Sequence, residues 1–186
     1  VHINVPLGGS LCAVTQVEHE PVTAVEQYVP QMVLAESDVQ CLAAELSRTR
    51  KVMILATLMS PSPQLQEALS RLARLPQVVV LTESVANLCD EAFIPTIDRV
   101  LTVIDNSEKE AFAPELLITI GGAPVSRMIK EYLRRYAPAT HWRVGCESHI
   151  IDTMQCLTHK IAVESASFMP QIAPLCRGVE SDYAAL

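Results

Sequence analysis

The stretch Leu116-Leu117-Ile118-Thr119-Ile120-Gly121-Gly122-Ala123-Pro124-Val125-Ser126-Arg127 decides the fold. Its first five residues form a short, largely aliphatic run, the length of a strand buried on both faces. Two glycines then break the run. Pro124 opens a predicted helix that reaches Tyr136, and a proline costs little in a first turn because its missing N–H has no helical partner there. Strand, glycine turn and helix together make one unit of a parallel sheet with crossover helices.

The same rhythm extends in both directions. Val52 to Ala56 and Val78 to Leu81 are further buried strands, with a helix over Ser62–Arg74 between them whose inner face is Leu65, Ala68, Leu69 and Leu72. Ahead of them, Ser37 and Gln40 fit the start of a helix as N-cap and capping-box partner, with Val39, Leu42, Ala43 and Leu46 at helical spacing and positive charge at Arg48 and Lys51. A weaker helix is predicted over 84–92 and a strand over Val100–Ile104. Beyond Tyr136, His141–Val144 reads as a fifth strand and Ile161–Val163 as a sixth, with a last helix near Phe168–Leu175. The expected fold is α/β: a Rossmann-like, three-layer domain with about six parallel strands and helices on both faces.

The 186 residues suit one domain with an appended arm, and 4% aromatic residues leave an aliphatic core. A net charge of -7 without a basic run argues against a nucleic-acid groove or an anionic membrane as partner. Apolar stretches are strand-sized, so no membrane insertion is expected. The six cysteines, at 12, 41, 89, 146, 156 and 176, form no C-x-x-C pair and read as reduced thiols packed as small hydrophobes. The expected compartment is the cytoplasm. Residues 1 to 36 lack a sustained period, carry Pro6, Pro21, Pro30 and Gly8-Gly9, and read as an arm. An apolar segment opening on Val1, as strand-like as His2-Ile3-Asn4-Val5, suggests a chain that naturally begins earlier.

Three groups of residues are candidates for chemistry. Gly121-Gly122 lies where ligands bind in open parallel sheets, beyond a strand's carboxyl end and before a helix start. The third glycine of a dinucleotide fingerprint is missing, so the pair is read either as an anion site or simply as a tight turn. Arg127, Lys130 and Arg134 share one helix face, with Arg127 nearest the helix start, suited to a carboxylate or phosphate, or else part of a solvated face. Cys146, His149, Asp152, Cys156 and His159 have the residue types of a zinc site, but the two pairs are too close in sequence, and Ile150, Ile151 and Leu157 among them look like core. No metal, cofactor or catalytic residue is assigned within the chain. The residues taken alone specify a fold and an anion-binding candidate, not a reaction.

A resemblance supplies more. The opening Val1-His-Ile-Asn-Val-Pro-Leu7 resembles the end of the pyrimidine-binding domain of thiamine-diphosphate enzymes. The stretch Pro114 to Arg127, its helix to Tyr136 and the following Pro138-Ala-Thr-His-Trp-Arg-Val144 resemble the middle domain of the MenD family, the 2-succinyl-5-enolpyruvyl-6-hydroxy-3-cyclohexene-1-carboxylate synthases. In that family a Gly-rich turn, a Val-Ser-Lys/Arg step and a later aromatic-Trp pair recur in this order. The likeness is loose beyond Val144. Thr57 stands where a glycine is common, and Met128 where some relatives carry a second basic residue.

The resemblance implies that residues 1–36 end the pyrimidine-binding domain and form a linker, while 37–186 are the middle domain. It implies a full-length transferase of menaquinone biosynthesis that decarboxylates 2-oxoglutarate on thiamine diphosphate and adds the resulting carbanion to isochorismate. Thiamine diphosphate and Mg2+ are implied for the full-length homodimer or tetramer, held by the two missing domains. Neither is expected on this stretch, which is expected to be inactive alone. Arg127 is the residue placed toward a substrate carboxylate. Two other readings remain open: an FAD- or ADP-binding middle domain of an acetolactate-synthase-like enzyme, and a free-standing Rossmann-like binding module.

Overall fold

The computed structural model describes residues 33–147, 149 and 151–186. The arm expected over residues 1 to 36 therefore lies almost wholly outside the described residues. Six strands form one parallel sheet: β1 (Val52–Ala56), β2 (Val78–Thr82), β3 (Phe93–Ile94), β4 (Leu116–Ile120), β5 (Thr140–Val144) and β6 (His159–Ile161). Their spatial order is β3-β2-β1-β4-β5-β6, and every neighbouring pair is parallel. The chain builds outward from β1 in one direction, then returns to add β4 on its other side. The direction of winding thus reverses between β1 and β4, and a crevice opens where their outgoing loops part.

Burial explains why the central strands are legible. All five residues of β1, β2 and β4 are buried, because helices cover both faces. Val52, Ile54 and Ala56 point to one layer, built from α1 (Glu36–Arg48), α2 (Pro63–Leu72) and α6 (Ser165–Ile172). Met53 and Leu55 point to the other, where Ile97 and Leu101 of α3 (Ile97–Val103) meet Ile129 and Leu133 of α5 (Arg127–Arg135). The short α4 (Asn106–Ala111) buries no residue and is held by a capping box between Asp105 and Glu108. The three-layer α/β architecture and the six parallel strands agree with the reading of the sequence. Among the described residues no helix is long and apolar enough to cross a membrane.

Several local expectations are corrected. Val100–Ile104, read as a strand, is mostly helix α3, and the third strand is the two-residue β3 just before it. The helix expected over 84–92 is a single 3-10 turn, Ser84–Ala86, ended by Asn87 in the left-handed region. Helix α1 starts at Glu36 with Ala35 as N-cap and no side-chain cap; Ser37 lies inside it, and Gln40 bonds the Glu36 carboxylate instead. Helix α5 starts at Arg127, capped by Ser126, so Pro124 belongs to the preceding turn. The last helix runs over Ser165–Ile172, three residues ahead of its expected start. Ile151, expected in the core, is 75% exposed. Of the cysteines, Cys176 is buried and Cys156 half-buried, but Cys41, Cys89 and Cys146 are exposed, so packing does not account for those three.

Candidate functional site: the carboxyl edge of the sheet

The loops leaving β1, β2, β4 and β5 meet at the carboxyl edge. Thr57, directly after β1, is fully buried, and its hydroxyl lies 3.0 Å from the Ile120 carbonyl and 2.7 Å from that of Gly122, donating between them. Gly122 N–H donates to the Leu58 carbonyl at 2.7 Å. Gly121 has φ +85°, and a Cβ there would come within 2.9 Å of the carbonyl oxygens of Thr57 and Leu58. A glycine is required for both reasons: only it adopts that backbone freely, and only it fits the close approach. Of the two readings of Gly121-Gly122, the structure supports the tight turn.

The turn that follows is held by acidic side chains. Glu83, the first residue after β2, accepts the N–H groups of Val125 and Ser126 on one carboxylate oxygen, each at 2.8 Å. The Ser126 hydroxyl donates to Asp98 on α3 and accepts the Ile129 N–H at 3.1 Å, capping α5. The backbone donors that a helix start offers to an external anion are, at Val125 and Ser126, already taken by an internal carboxylate.

Arg127 opens α5 with its side chain 86% exposed, paired to Glu131 at 2.6 Å. The hydrogen bond and charge of Glu131 raise its pKa further, so it stays a cation. The predicted basic face divides by partner: Lys130 Nζ reaches the Pro124 carbonyl at 3.4 Å, and Arg134 donates twice to the Thr153 carbonyl, at 3.0 and 2.8 Å.

Two hollows flank the end of β4. A crevice of about 540 Å³ is lined by Leu58, Met59, Gly121, Gly122, Cys146 and Glu147 among others. A second, of about 340 Å³, is bounded by Pro124, His141, Arg143, His149, Ile151 and Met154. Glu147 lines both and bridges two cations, Arg143 on β5 and Lys160 on β6, the latter at 2.6 Å. Burial pushes the Glu147 carboxyl up, but Lys160 and Arg143 outweigh it and hold the group below its ordinary value. Arg143 also donates to the Gly121 carbonyl. His141 is 3% exposed, its Nε2 2.9 Å from the Thr119 hydroxyl and its Nδ1 3.6 Å from Cys156 Sγ. Burial depresses its pKa to about 4, so the ring is neutral at pH 7. Burial likewise raises the Cys156 thiol to about 11, which removes it as a thiolate nucleophile.

The residues with zinc-like spacing are not gathered. Cys156 faces His141, His159 bonds its neighbour Thr158, and among the described residues no three His, Cys, Asp or Glu groups converge as a metal site.

No family profile matches the chain. Curated relatives do. The chain is 31% identical over 185 residues to the 2-succinyl-5-enolpyruvyl-6-hydroxy-3-cyclohexene-1-carboxylate synthase of Flavobacterium johnsoniae, covering 98% of this chain and 33% of that protein. It is 37% identical over 123 residues to the synthase of Porphyromonas gingivalis, covering 66% and 21%, and 31% identical over 176 residues to that of Bacteroides thetaiotaomicron, covering 94% and 31%. The chain is homologous to a third of this synthase. The resemblance read from Val1–Leu7 and Pro114–Val144 therefore extends over nearly the whole chain, past the point where it looked loose. The chain thus matches a third or less of the length of each of these relatives.

Of the residues that build the edge, sequence reasoning found Gly121, Gly122 and Arg127 and missed Glu83, Asp98 and the Arg143–Glu147–Lys160 bridge. A signal existed for Glu83: an acidic residue directly after a fully buried parallel strand stands at the ligand-binding edge by topology alone.

Proposed function

We propose that the chain is the middle domain, from residue 37 onward, of a 2-succinyl-5-enolpyruvyl-6-hydroxy-3-cyclohexene-1-carboxylate synthase, with residues 1–36 completing the preceding pyrimidine-binding domain and its linker. The observation that carries the proposal is the alignment: 98% of this chain matches one third of such a synthase. In the full-length, cytoplasmic homodimer or tetramer, 2-oxoglutarate is decarboxylated and its remainder added to isochorismate, and the 186-residue stretch is inactive alone.

Thiamine diphosphate and Mg2+ belong to this chemistry. The described residues do not fit them: no cluster of metal ligands converges, Glu83 and Asp98 are engaged by the turn before α5, and Glu147 is paired with Arg143 and Lys160. In this reading the cofactor ligands come from the other two domains, and the present chain contributes a shaped edge with a cation on it. Both substrates are anionic, and Arg127 is an exposed guanidinium at a helix start, where the dipole also favours a carboxylate. Its Glu131 partner is solvent-exposed and four residues away, so exchanging it for a substrate carboxylate costs little.

The test is kinetic and uses the full-length synthase. Arg127→Ala is expected to raise KM for 2-oxoglutarate or isochorismate about tenfold or more, the effect of losing one charge-assisted hydrogen bond, with folding unchanged. Unchanged constants for both substrates return Arg127 to an ordinary solvated face. A full-length protein that turns over neither substrate but retains bound flavin defeats the larger proposal in favour of an acetolactate-synthase-like enzyme.

A further inference from the structure

We infer that Glu83 is a positioning residue: its carboxylate fixes the course of the turn 123–126 and so the place from which Arg127 departs. The inference rests on the reading of Arg127 given above, and deepens it.

Topology makes the contact unusual. Glu83 leaves β2, whereas the turn leaves β4, and β1 lies between those strands in the sheet. The Glu83 side chain therefore crosses the end of β1 to reach residues 42 and 43 positions further along the chain. Its target is two adjacent N–H groups, Val125 and Ser126, that precede α5 and have no helical carbonyl to bond. Among the described residues, no backbone–backbone hydrogen bond outside the helices and strands involves residues 123 to 126; the last one before them is Gly122 to Leu58. Pro124 removes one donor from the turn altogether. The course of this segment is set by side chains: Glu83 on one side, Asp98, through the Ser126 hydroxyl, on the other, and a long 3.4 Å contact from Lys130 Nζ to the Pro124 carbonyl.

The second Glu83 oxygen, Oε2, is shielded from solvent and has no hydrogen-bond partner. No cation among the described residues pairs with this carboxylate, so its bonds are spent on the turn alone. What the turn requires is one acceptor oxygen at a given place, not a negative charge. That separates Gln from the other replacements. A glutamine keeps the accepting oxygen at the same reach, an aspartate keeps the charge but falls short by one methylene, and an alanine keeps neither. By filling the position where an external anion would meet the turn's N–H groups, Glu83 also leaves the side chain of Arg127 as the group that faces a substrate carboxylate.

The experiment compares Glu83→Ala, Glu83→Asp, Glu83→Gln, Arg127→Ala and the Glu83→Ala/Arg127→Ala pair in the full-length synthase. KM and kcat for both substrates are measured, with amide exchange over a peptide spanning 121–127. Glu83→Ala and Glu83→Asp are expected to speed exchange in that peptide and to raise KM about tenfold for the substrate affected by Arg127→Ala, with a smaller change in kcat, as expected of a displaced binding group. The double variant should be no worse than Arg127→Ala, and Glu83→Gln should restore both exchange and KM. Unchanged exchange in Glu83→Asp overturns the inference whatever the kinetics, and so does a Glu83→Gln as impaired as Glu83→Ala. A wild-type KM in Glu83→Ala beside a raised KM in Arg127→Ala overturns the inference and leaves the role of Arg127 standing. An Arg127→Ala without effect brings down the reading beneath it, and the exchange data then decide the clamp alone. If Glu83→Ala does not fold, Asp and Gln carry the comparison.

Discussion

His141 shows how a residue type that suggests chemistry is turned to packing. Its ring is enclosed at the end of the second hollow, bonded to Thr119 and facing Cys156, with burial as the main cause of its low pKa; Asp152 pulls the value up and Arg143 pushes it down. Its folded pKa of about 4 lies below the ordinary value of 6.5, so between these pH values the unfolded chain binds a proton that the folded chain refuses. Stability therefore rises with pH across that window. The contribution is intact above pH 6.5 and is lost as pH falls toward 4, amounting to roughly 3 kcal/mol over the full span. Urea unfolding of the wild type and of His141→Asn at several pH values checks this. The variant should show a flatter decline between pH 6.5 and 4; parallel curves would mean that the buried ring is not what titrates. In the sequence His141 was legible only as a strand residue. Its burial depends on Thr119 and Cys156, 22 positions before it and 15 after it, and no local pattern encodes such a pairing.

At the scale of elements, legibility followed burial. The central strands carry continuous apolar runs because helices cover both faces, and those runs were read correctly at Val52, Val78 and Leu116. Val100–Ile104 has the same look and a different fate. In α3 only Ile97 and Leu101, four residues apart, enter the core, while Val103 is 80% exposed. A run of five apolar or β-branched residues satisfies strand and helix templates alike, and the true third strand, two residues long, is too short to show any period. The glycine turn after β4 was legible for the opposite reason, since adjacent glycines mark a backbone constraint directly. Gly121→Ala should test it. The substitution places a Cβ 2.9 Å from two carbonyl oxygens on a backbone at φ +85°, so a loss of about 2 kcal/mol or more is expected, read as a lower urea midpoint with unchanged slope. Gly122→Ala, whose Cβ would meet Leu58 Cβ at 3.3 Å without a positive φ, should cost clearly less. Equal losses at both positions would refute the left-handed conformation as the cause.

At the scale of the molecule, the carboxyl edge combines the polar clamp around Ser126 with apolar side chains left in the open. Leu58 after β1, Val85 after β2 and Val125 in the turn are 59%, 37% and 70% exposed. Val85 and Val125 line one hollow of about 360 Å³, and Leu58 lines the separate crevice of about 540 Å³, while the next residue, Met59, donates its N–H to the Val85 carbonyl. Single exposed apolar residues need no explanation, but three on loops that all leave the carboxyl edge of a doubly wound sheet invite one. This grouping could not be read from the sequence, because three separate loops supply it. If the chain belongs to such a synthase, as proposed above, the expected occupant is the rest of that protein, since the relative from Flavobacterium johnsoniae is about three times as long as the stretch matched here. A charge introduced at a covered apolar contact must be desolvated without a partner, whereas a charge on open surface costs almost nothing. Val103 provides the control: it is as exposed as any of the three but ends α3, which runs back from the carboxyl edge toward the opposite one. In the full-length synthase, Leu58→Asp and Val125→Asp are each expected to lower Tm by on the order of 5 °C, and Val103→Asp by much less. If all three variants melt together with the wild type, the edge stays open to solvent and this covering is refuted.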